Sequence, residues 1–172
     1  MIEIKENYID VTEEWINKEN FKKGIVINRN YYIDKECNKY KVDGKNVVLD
    51  YSIKEKEVAE WLITKFGGNI YMLPRVNKPD GIMTADYLFK GECWDLKTIS
   101  GSGKRVIEDV IKKKRMQSNN FILDVTNSKI DKQDLFRQLE KIYNSKTTEW
   151  VKTIIVKEND NLVVIYTNSK KD

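Results

Sequence analysis

The stretch ADYLFKGECWDLKTI, residues 85–99, limits most tightly what this chain can fold into. Two runs rich in apolar and aromatic residues meet at Gly91, a pattern that predicts two β-strands joined by a tight hairpin. To within one register, that hairpin sets Asp86 opposite Asp95 and Tyr87 opposite Trp94. Side chains two apart on a strand leave on the same face, so Asp95 and Lys97 point to one side. Two carboxylates and an ammonium therefore gather where strands usually carry apolar residues. Like charges directly opposite on a sheet are destabilising unless something positive sits between them.

The surrounding periodicities supply a scaffold. Ser52 and Glu55 form a capping box. Val58, Ala59, Leu62 and Phe66 follow at helical spacing up to the Gly67-Gly68 stop, which predicts a helix of about 14 residues. NIYMLP reads as a short strand, and RVNKPDGIMT as a polar loop leading into the hairpin. Beyond SGSGK, a helix is expected over about 105–117 with Val106, Ile107, Val110 and Ile111 on one face. FILDV then reads as a strand. Asp131 can cap a further helix with Leu135, Phe136, Leu139, Ile142 and Tyr143 inward, and VKTIIVK and LVVIYT read as two last strands. The expected fold is mixed α/β, one sheet flanked by helices, with an extra C-terminal helix and β-hairpin. Residues 1–49, with a short amphipathic piece near VTEEWINKE and strand-like runs GIVINRNYYI and KNVVLDY, read as a lead-in or extra β-layer. Residues 50–172 read as the main domain.

The absence of histidine among the 172 residues removes whole classes of chemistry. Ser-His-Asp hydrolysis, Cys-His proteolysis, imidazole-based RNase acid/base pairs and His-ligated zinc all need an imidazole. What remains is chemistry by carboxylates, lysine or a hard metal. Cys37 and Cys93 lack C-x-x-C spacing, which signals neither a zinc site nor a disulfide framework and suits a reducing compartment. The N-terminus shows no basic, then apolar, export pattern. No apolar run approaches the roughly 20 residues of a membrane helix. Charged residues make up 34% of the chain and the formal net charge is only +4, so an anion-binding surface must come from local clustering.

A divalent ion such as Mg²⁺ or Mn²⁺, which takes one or two carboxylates and completes its shell with water and phosphate oxygens, fits between Asp86 and Asp95. Lys97 can orient an attacking water and neutralise charge building on phosphorus. Glu55 lies within the helix arc of Ala59, Leu62 and Phe66, an acid on the sheet-facing side, whereas Glu57 and Glu60 lie on the solvated side. Its alternative role is to cap the helix. Lys114 and Gln117 continue the apolar stripe of their helix toward the site. Lys104, Arg105, Lys112 and Lys113, with Thr98 beside the lysine, are candidates for substrate contacts along a phosphate backbone. The plainer readings are edge-strand charges that discourage aggregation for the hairpin trio, and dipole-complementing, solubilising cations for the helix.

Helix-strand-strand-strand-helix-strand with D…D-x-K resembles the core of the PD-(D/E)XK nuclease superfamily, with Ala85-Asp86 standing where the family has a proline and the acid. The wording KEKEVAEWL, FGGNIYMLPRVNKPDGIMTADYLFKGECWDLKT and IKKKRMQSNNFILDVTNS further resembles the CdiA-type C-terminal tRNase domain of contact-dependent growth inhibition toxins, over about residues 50–167. The resemblance implies metal-dependent cleavage of RNA, tRNA foremost. Asp86 and Asp95 would be metal ligands, Lys97 the catalytic lysine and Glu55 the helix acid. It also implies a cognate immunity protein and delivery into a target bacterium as part of a larger protein. A DNA endonuclease of the same fold and a non-catalytic nucleic-acid-binding module of phage or mobile-element type are the competing expectations.

Overall fold

The computed structural model describes residues 7–17, 22–113 and 118–169. In chain order the elements are β1 (Tyr8–Asp10), α1 (Thr12–Ile16), β2 (Val26–Asn28), β3 (Tyr31–Ile33), β4 (Lys39–Lys41), β5 (Val47–Val48), α2 (Ile53–Phe66), β6 (Ile70–Met72), β7 (Arg75–Val76), β8 (Tyr87–Phe89), β9 (Glu92–Thr98), α3 (Val106–Lys112), β10 (Asn120–Asp124), α4 (Lys132–Asn144), β11 (Thr153–Glu158) and β12 (Asn161–Asn168). The class is mixed α/β, as the periodicities predict. The described residues divide into two compact units, one of residues 16–17, 22–95 and 118, the other of residues 7–15, 96–113 and 119–169. Residues 22–49 belong to the same unit as α2 and β8.

In the first unit the strands run in the order β2-β6-β8-β9. β2 is parallel to β6, while β6–β8 and β8–β9 are antiparallel. α2 begins where expected. The Ser52 hydroxyl accepts the Glu55 N–H at 3.1 Å, and the helix ends as Gly67, at φ 71°, donates its N–H to the Ile63 carbonyl. Its buried face of Val58, Ala59, Leu62 and Phe66 is joined by Trp61 and Ile63. Burying such side chains contributes about 1.5–3 kcal/mol each, which outweighs helix propensity in fixing α2. A second small core gathers Tyr32, Val47, Leu73, Val76 and Ala85. Tyr32 and Val47 come from the strand-like runs of residues 24–33 and 45–51, and Val76 from β7, which the sequence pattern does not announce. RVNKPDGIMT is less irregular than expected, since Arg75 and Val76 pair antiparallel with Val48 and Val47.

In the second unit β10 pairs parallel with β11, β12 returns antiparallel, and β1 pairs antiparallel with β12. Phe121, Leu123, Ile154 and Val156 are buried with Leu135, Leu139, Ile142 and Tyr143 of α4 and with Ile107 and Ile111 of α3. Asp131 caps α4 by accepting the Asp134 N–H at 2.8 Å. α3 lacks a side-chain cap of its own. Instead, the buried Gln138 accepts the Ile107 N–H at 3.1 Å, one of the donors that a helix start leaves open, and donates to the Gly103 carbonyl at 2.9 Å. Among the described residues no helix is long and apolar enough to cross a membrane.

Candidate active site

The β8–β9 hairpin turns on Lys90 and Gly91, with φ of 52° and 76°. Positive φ at both central residues matches the right-handed twist of the flanking strands, and glycine adopts it without strain. Phe89 then pairs with Glu92, Leu88 with Cys93 and Tyr87 with Trp94. The Trp94 indole N–H donates to the Phe89 carbonyl at 3.0 Å and secures the turn. One step further along, the Asp86 N–H donates to the Trp94 carbonyl at 3.0 Å, and the Asp86 carbonyl accepts from Leu73 at 3.1 Å. The last registered pair is Tyr87 with Trp94, and the Asp86 N–H also turns to Trp94, so Asp86 and Asp95 flank that pair, one just before Tyr87 and one just after Trp94.

Asp95 is 1% exposed and Asp86 half-buried. Glu55 joins them from the first turn of α2. Its carboxyl is pushed above the usual glutamate range, first by burial and then by the negative charge of Asp86. The Ser52 hydroxyl, 3.2 Å from Glu55 Oε1, opposes that shift. Glu55 thus serves both readings, closing the capping box and facing the acids. Tyr87, fully buried, donates its hydroxyl to the Glu55 carbonyl at 2.6 Å. Burial and then the charges of Asp86, Glu55 and Asp95 hold that phenol protonated well past its ordinary range. Tyr32, pushed up to about 12, chiefly by burial, also registers Asp95.

Arg75 enters the site without having been expected. Its guanidinium is ion-paired to Asp50, which raises its proton affinity, and it also feels Glu55 and Asp86. The Asp50–Arg75 pair is far apart in sequence and rests on the two-residue β5–β7 bridge, so no periodic signal marks it. Lys97 is half-buried, two residues beyond Asp95 on β9, and the pleat gives the two a common face. Glu92, three residues before Asp95, takes the opposite face.

The cations expected on the substrate are placed less uniformly. Thr98, Lys104, Arg105 and Lys113 are exposed. Arg105 and Lys112, however, converge on the buried Glu108, at 3.2 and 2.8 Å, with Lys141 at 3.6 Å. These ion pairs hold the Glu108 carboxyl below its usual range, the Lys112 hydrogen bond most strongly. Lys114 and Gln117 lie outside the described residues.

Asp86, Asp95 and Glu55 offer only hard oxygen donors, the set that Mg²⁺ and Mn²⁺ prefer. Among the described residues no group of three or more histidine, cysteine, aspartate or glutamate side chains is placed to hold a metal ion. A hairpin carboxylate pair nonetheless suits an ion that keeps several waters and borrows substrate oxygens. Zinc, which favours nitrogen and sulfur donors, finds no such set here.

The acid hairpin and the strands after it are where the chain meets known proteins. No curated protein matches it. A chain of the CdiA-CT/CdiI toxin and immunity complex from Burkholderia pseudomallei has a similar fold, with a TM-score of 0.53 at 20% identity, over 82% of this chain and 98% of that one. Residues 83–162, a span that includes Asp86, Asp95 and Lys97, match the family model for the contact-dependent growth inhibition CdiA C-terminal domain.

Proposed function

We propose that this chain is a toxin domain of the contact-dependent growth inhibition type that hydrolyses RNA phosphodiesters, tRNA foremost, on a PD-(D/E)XK-like core. The observation that carries the reading is the β8–β9 hairpin, whose Tyr87–Trp94 pair is flanked by Asp86 and Asp95, with Glu55 feeling the charge of Asp86 and Lys97 two residues beyond Asp95. The family-model match over that hairpin and the fold of the toxin and immunity complex support it.

Asp86 and Asp95 would hold Mg²⁺ or Mn²⁺, and such an ion supplies a bound water of lowered pKa and a Lewis acid for a phosphoryl oxygen. The rest falls to the chain's own groups. Lys97 neutralises charge gathering on the phosphorus and orients the attacking water. Glu55, whose proton affinity is raised by burial and by Asp86, accepts a proton nearer neutral pH than an exposed glutamate would. Arg75, beside Glu55 and Asp86, limits the repulsion among the acids and leaves a cation facing the substrate phosphate. A cognate immunity protein would have to cover this site in the producing cell.

The test is to incubate the purified chain with total tRNA and with plasmid DNA side by side, in Mg²⁺ and in EDTA, and to repeat it with Asp95→Asn. Cleavage of tRNA that stops in EDTA and in the variant is expected. Full cleavage in EDTA would remove the metal mechanism. Cleavage of plasmid alone would make the chain a DNA endonuclease using the same residues.

A further inference from the structure

An open groove of about 470 Å³ lies between β2 and β8, lined by Ile27, Asn28, Arg29, Tyr31, Tyr71 and Leu88. That volume suits a small organic group. Its chemistry is specific. The Arg29 guanidinium lies 4.1 Å from the centre of the Tyr31 ring and 5.9 Å from that of Tyr71, and donates to the Tyr31 hydroxyl at 2.6 Å. The Lys39 ammonium approaches Tyr31 at 4.4 Å. Stacked guanidinium and phenol planes with a further cation beside them form a surface for a flat aromatic group bearing negative charge.

The strand registers place this groove next to the acids. Ile27 pairs with Tyr71, Tyr71 with Leu88, and Leu88 with Cys93, forming one row across the sheet. Asp86 lies two residues before Leu88 on its strand and Asp95 two residues after Cys93. Two residues along a strand amount to about 7 Å. The Cys93 thiol, at the end of that row, registers the charges of both Arg29 and Asp95. Apart from Leu88, the groove is built from residues outside the span that matches the family model.

We propose that this groove is a subsite for an unpaired nucleobase of the RNA strand, flanking the phosphate held at Asp86 and Asp95. The base stacks on Tyr71 and the Arg29 plane, and its phosphate meets Lys39. Unpaired bases are recognised by such stacking, whereas duplex bases are not available to it. The inference rests on the nuclease reading for the identity of its ligand, and it makes that reading one of single-stranded loops or ends.

The probe is a short single-stranded RNA carrying one 2-aminopurine, titrated into the full chain bearing Asp95→Asn so that the probe survives. Stacking should quench its fluorescence, and a fully paired duplex of the same sequence should quench it far less. Tyr71→Ala and Tyr31→Ala are each expected to weaken binding roughly five- to hundred-fold, the range of one lost base–aromatic stack. Tyr71→Phe, which keeps the ring, should retain it, and circular dichroism checks the fold of each variant. In the active chain, Tyr71→Ala should raise KM while leaving kcat nearly unchanged. Unchanged affinity and KM in both alanine variants, with tRNA cleavage intact, would overturn the subsite and leave the nuclease standing. Tyrosine-dependent quenching in a chain that cleaves nothing would keep the subsite and remove the nuclease. Binding of the duplex as tight as the single strand, insensitive to Tyr71, would also overturn it.

Discussion

The Tyr87 hydroxyl donates a 2.6 Å hydrogen bond to the Glu55 carbonyl, tying the first turn of α2 to the strand that follows Asp86. Tyr87 is fully buried, so the bond forms without competition from water. It fixes the helix acid against the hairpin acids from behind, through the backbone and not through the carboxylate itself.

Tyr87→Phe therefore removes the tie and keeps the ring. The expected loss is about 1 kcal/mol of stability, the net value of a typical intramolecular hydrogen bond, which for a chain of this size lowers Tm by about 2–4 °C. Cleavage of tRNA should fall more than that loss alone explains, because Glu55 is no longer held in register. Thermal unfolding and initial rates on one preparation check both. A rate equal to wild type would show that the tie is structural only.

Glu55→Gln separates charge from capping, since glutamine completes a capping box as well as glutamate does. An acid whose folded pKa is raised gives its full favourable contribution below the unfolded value near pH 4 and loses it as pH climbs through the raised value. Glutamine never ionises, so the variant should match wild type in stability at acid pH and exceed it at neutral pH. Urea unfolding at both pH values measures the difference. Activity should move the other way, falling by roughly 10²-fold or more if Glu55 handles a proton. A variant less stable than wild type at neutral pH would contradict the repulsion from Asp86.

Much of this site is legible in the sequence because its signals are local. Gly91 between two apolar runs sets the hairpin register, and Ser52 with Glu55 sets the start of α2 and the direction of its acid. What the sequence withholds is non-local. The β5–β7 bridge is two residues long on each strand and carries no period, so Arg75 reads as part of a polar loop and its pairing with Asp50 goes unseen. The Arg29 groove depends on β2 lying parallel beside β6, a pairing that no turn residue announces. Glu108 is a different case: Arg105 and Lys112 stand at i−3 and i+4 from it, a spacing visible in the sequence, while tertiary packing adds Lys141 and buries the carboxylate that they serve.

Glu108 separates structural from substrate-binding cations. Its carboxyl is buried against Lys112, Arg105 and Lys141, and its pKa is depressed. A depressed pKa contributes stability above the unfolded glutamate value that is lost as pH falls through the folded one. Glu108→Gln should therefore destabilise at neutral pH, by about 1.5–3 kcal/mol for hydrogen bonds to charged groups, and much less in acid. Lys112→Ala should cost stability while leaving the salt dependence of RNA binding unchanged, whereas Lys113→Ala, at an exposed site, should reduce the slope of log K against log salt by nearly one. If Lys112→Ala reduced the slope equally, Lys112 would be a phosphate contact despite its ion pair.

Gly24 tests whether the β2 edge must be held close to β6. A Cβ there would lie 1.7 Å from the Gly68 carbonyl oxygen and 2.7 Å from the Asn69 nitrogen, backbone atoms that cannot swing aside. The same seam is stitched by Gly68 donating to the Lys22 carbonyl at 2.9 Å and by Ile25 donating to the Asn69 side chain at 3.0 Å. Gly24→Ala must therefore move β2 relative to β6, at a cost of about 1–3 kcal/mol or more. Gly103→Ala, where nothing lies within 4 Å of the added carbon, should stay within about 0.5 kcal/mol of wild type. Because Arg29 and Tyr31 follow β2 into the groove, Gly24→Ala should also weaken binding of the 2-aminopurine RNA at temperatures where the chain is still folded. Asp86 and Asp95 rest on the β8–β9 hairpin and should keep cleaving at saturating tRNA. Equal losses of binding and of saturated cleavage would instead mean that displacing β2 disturbs the acid pair itself.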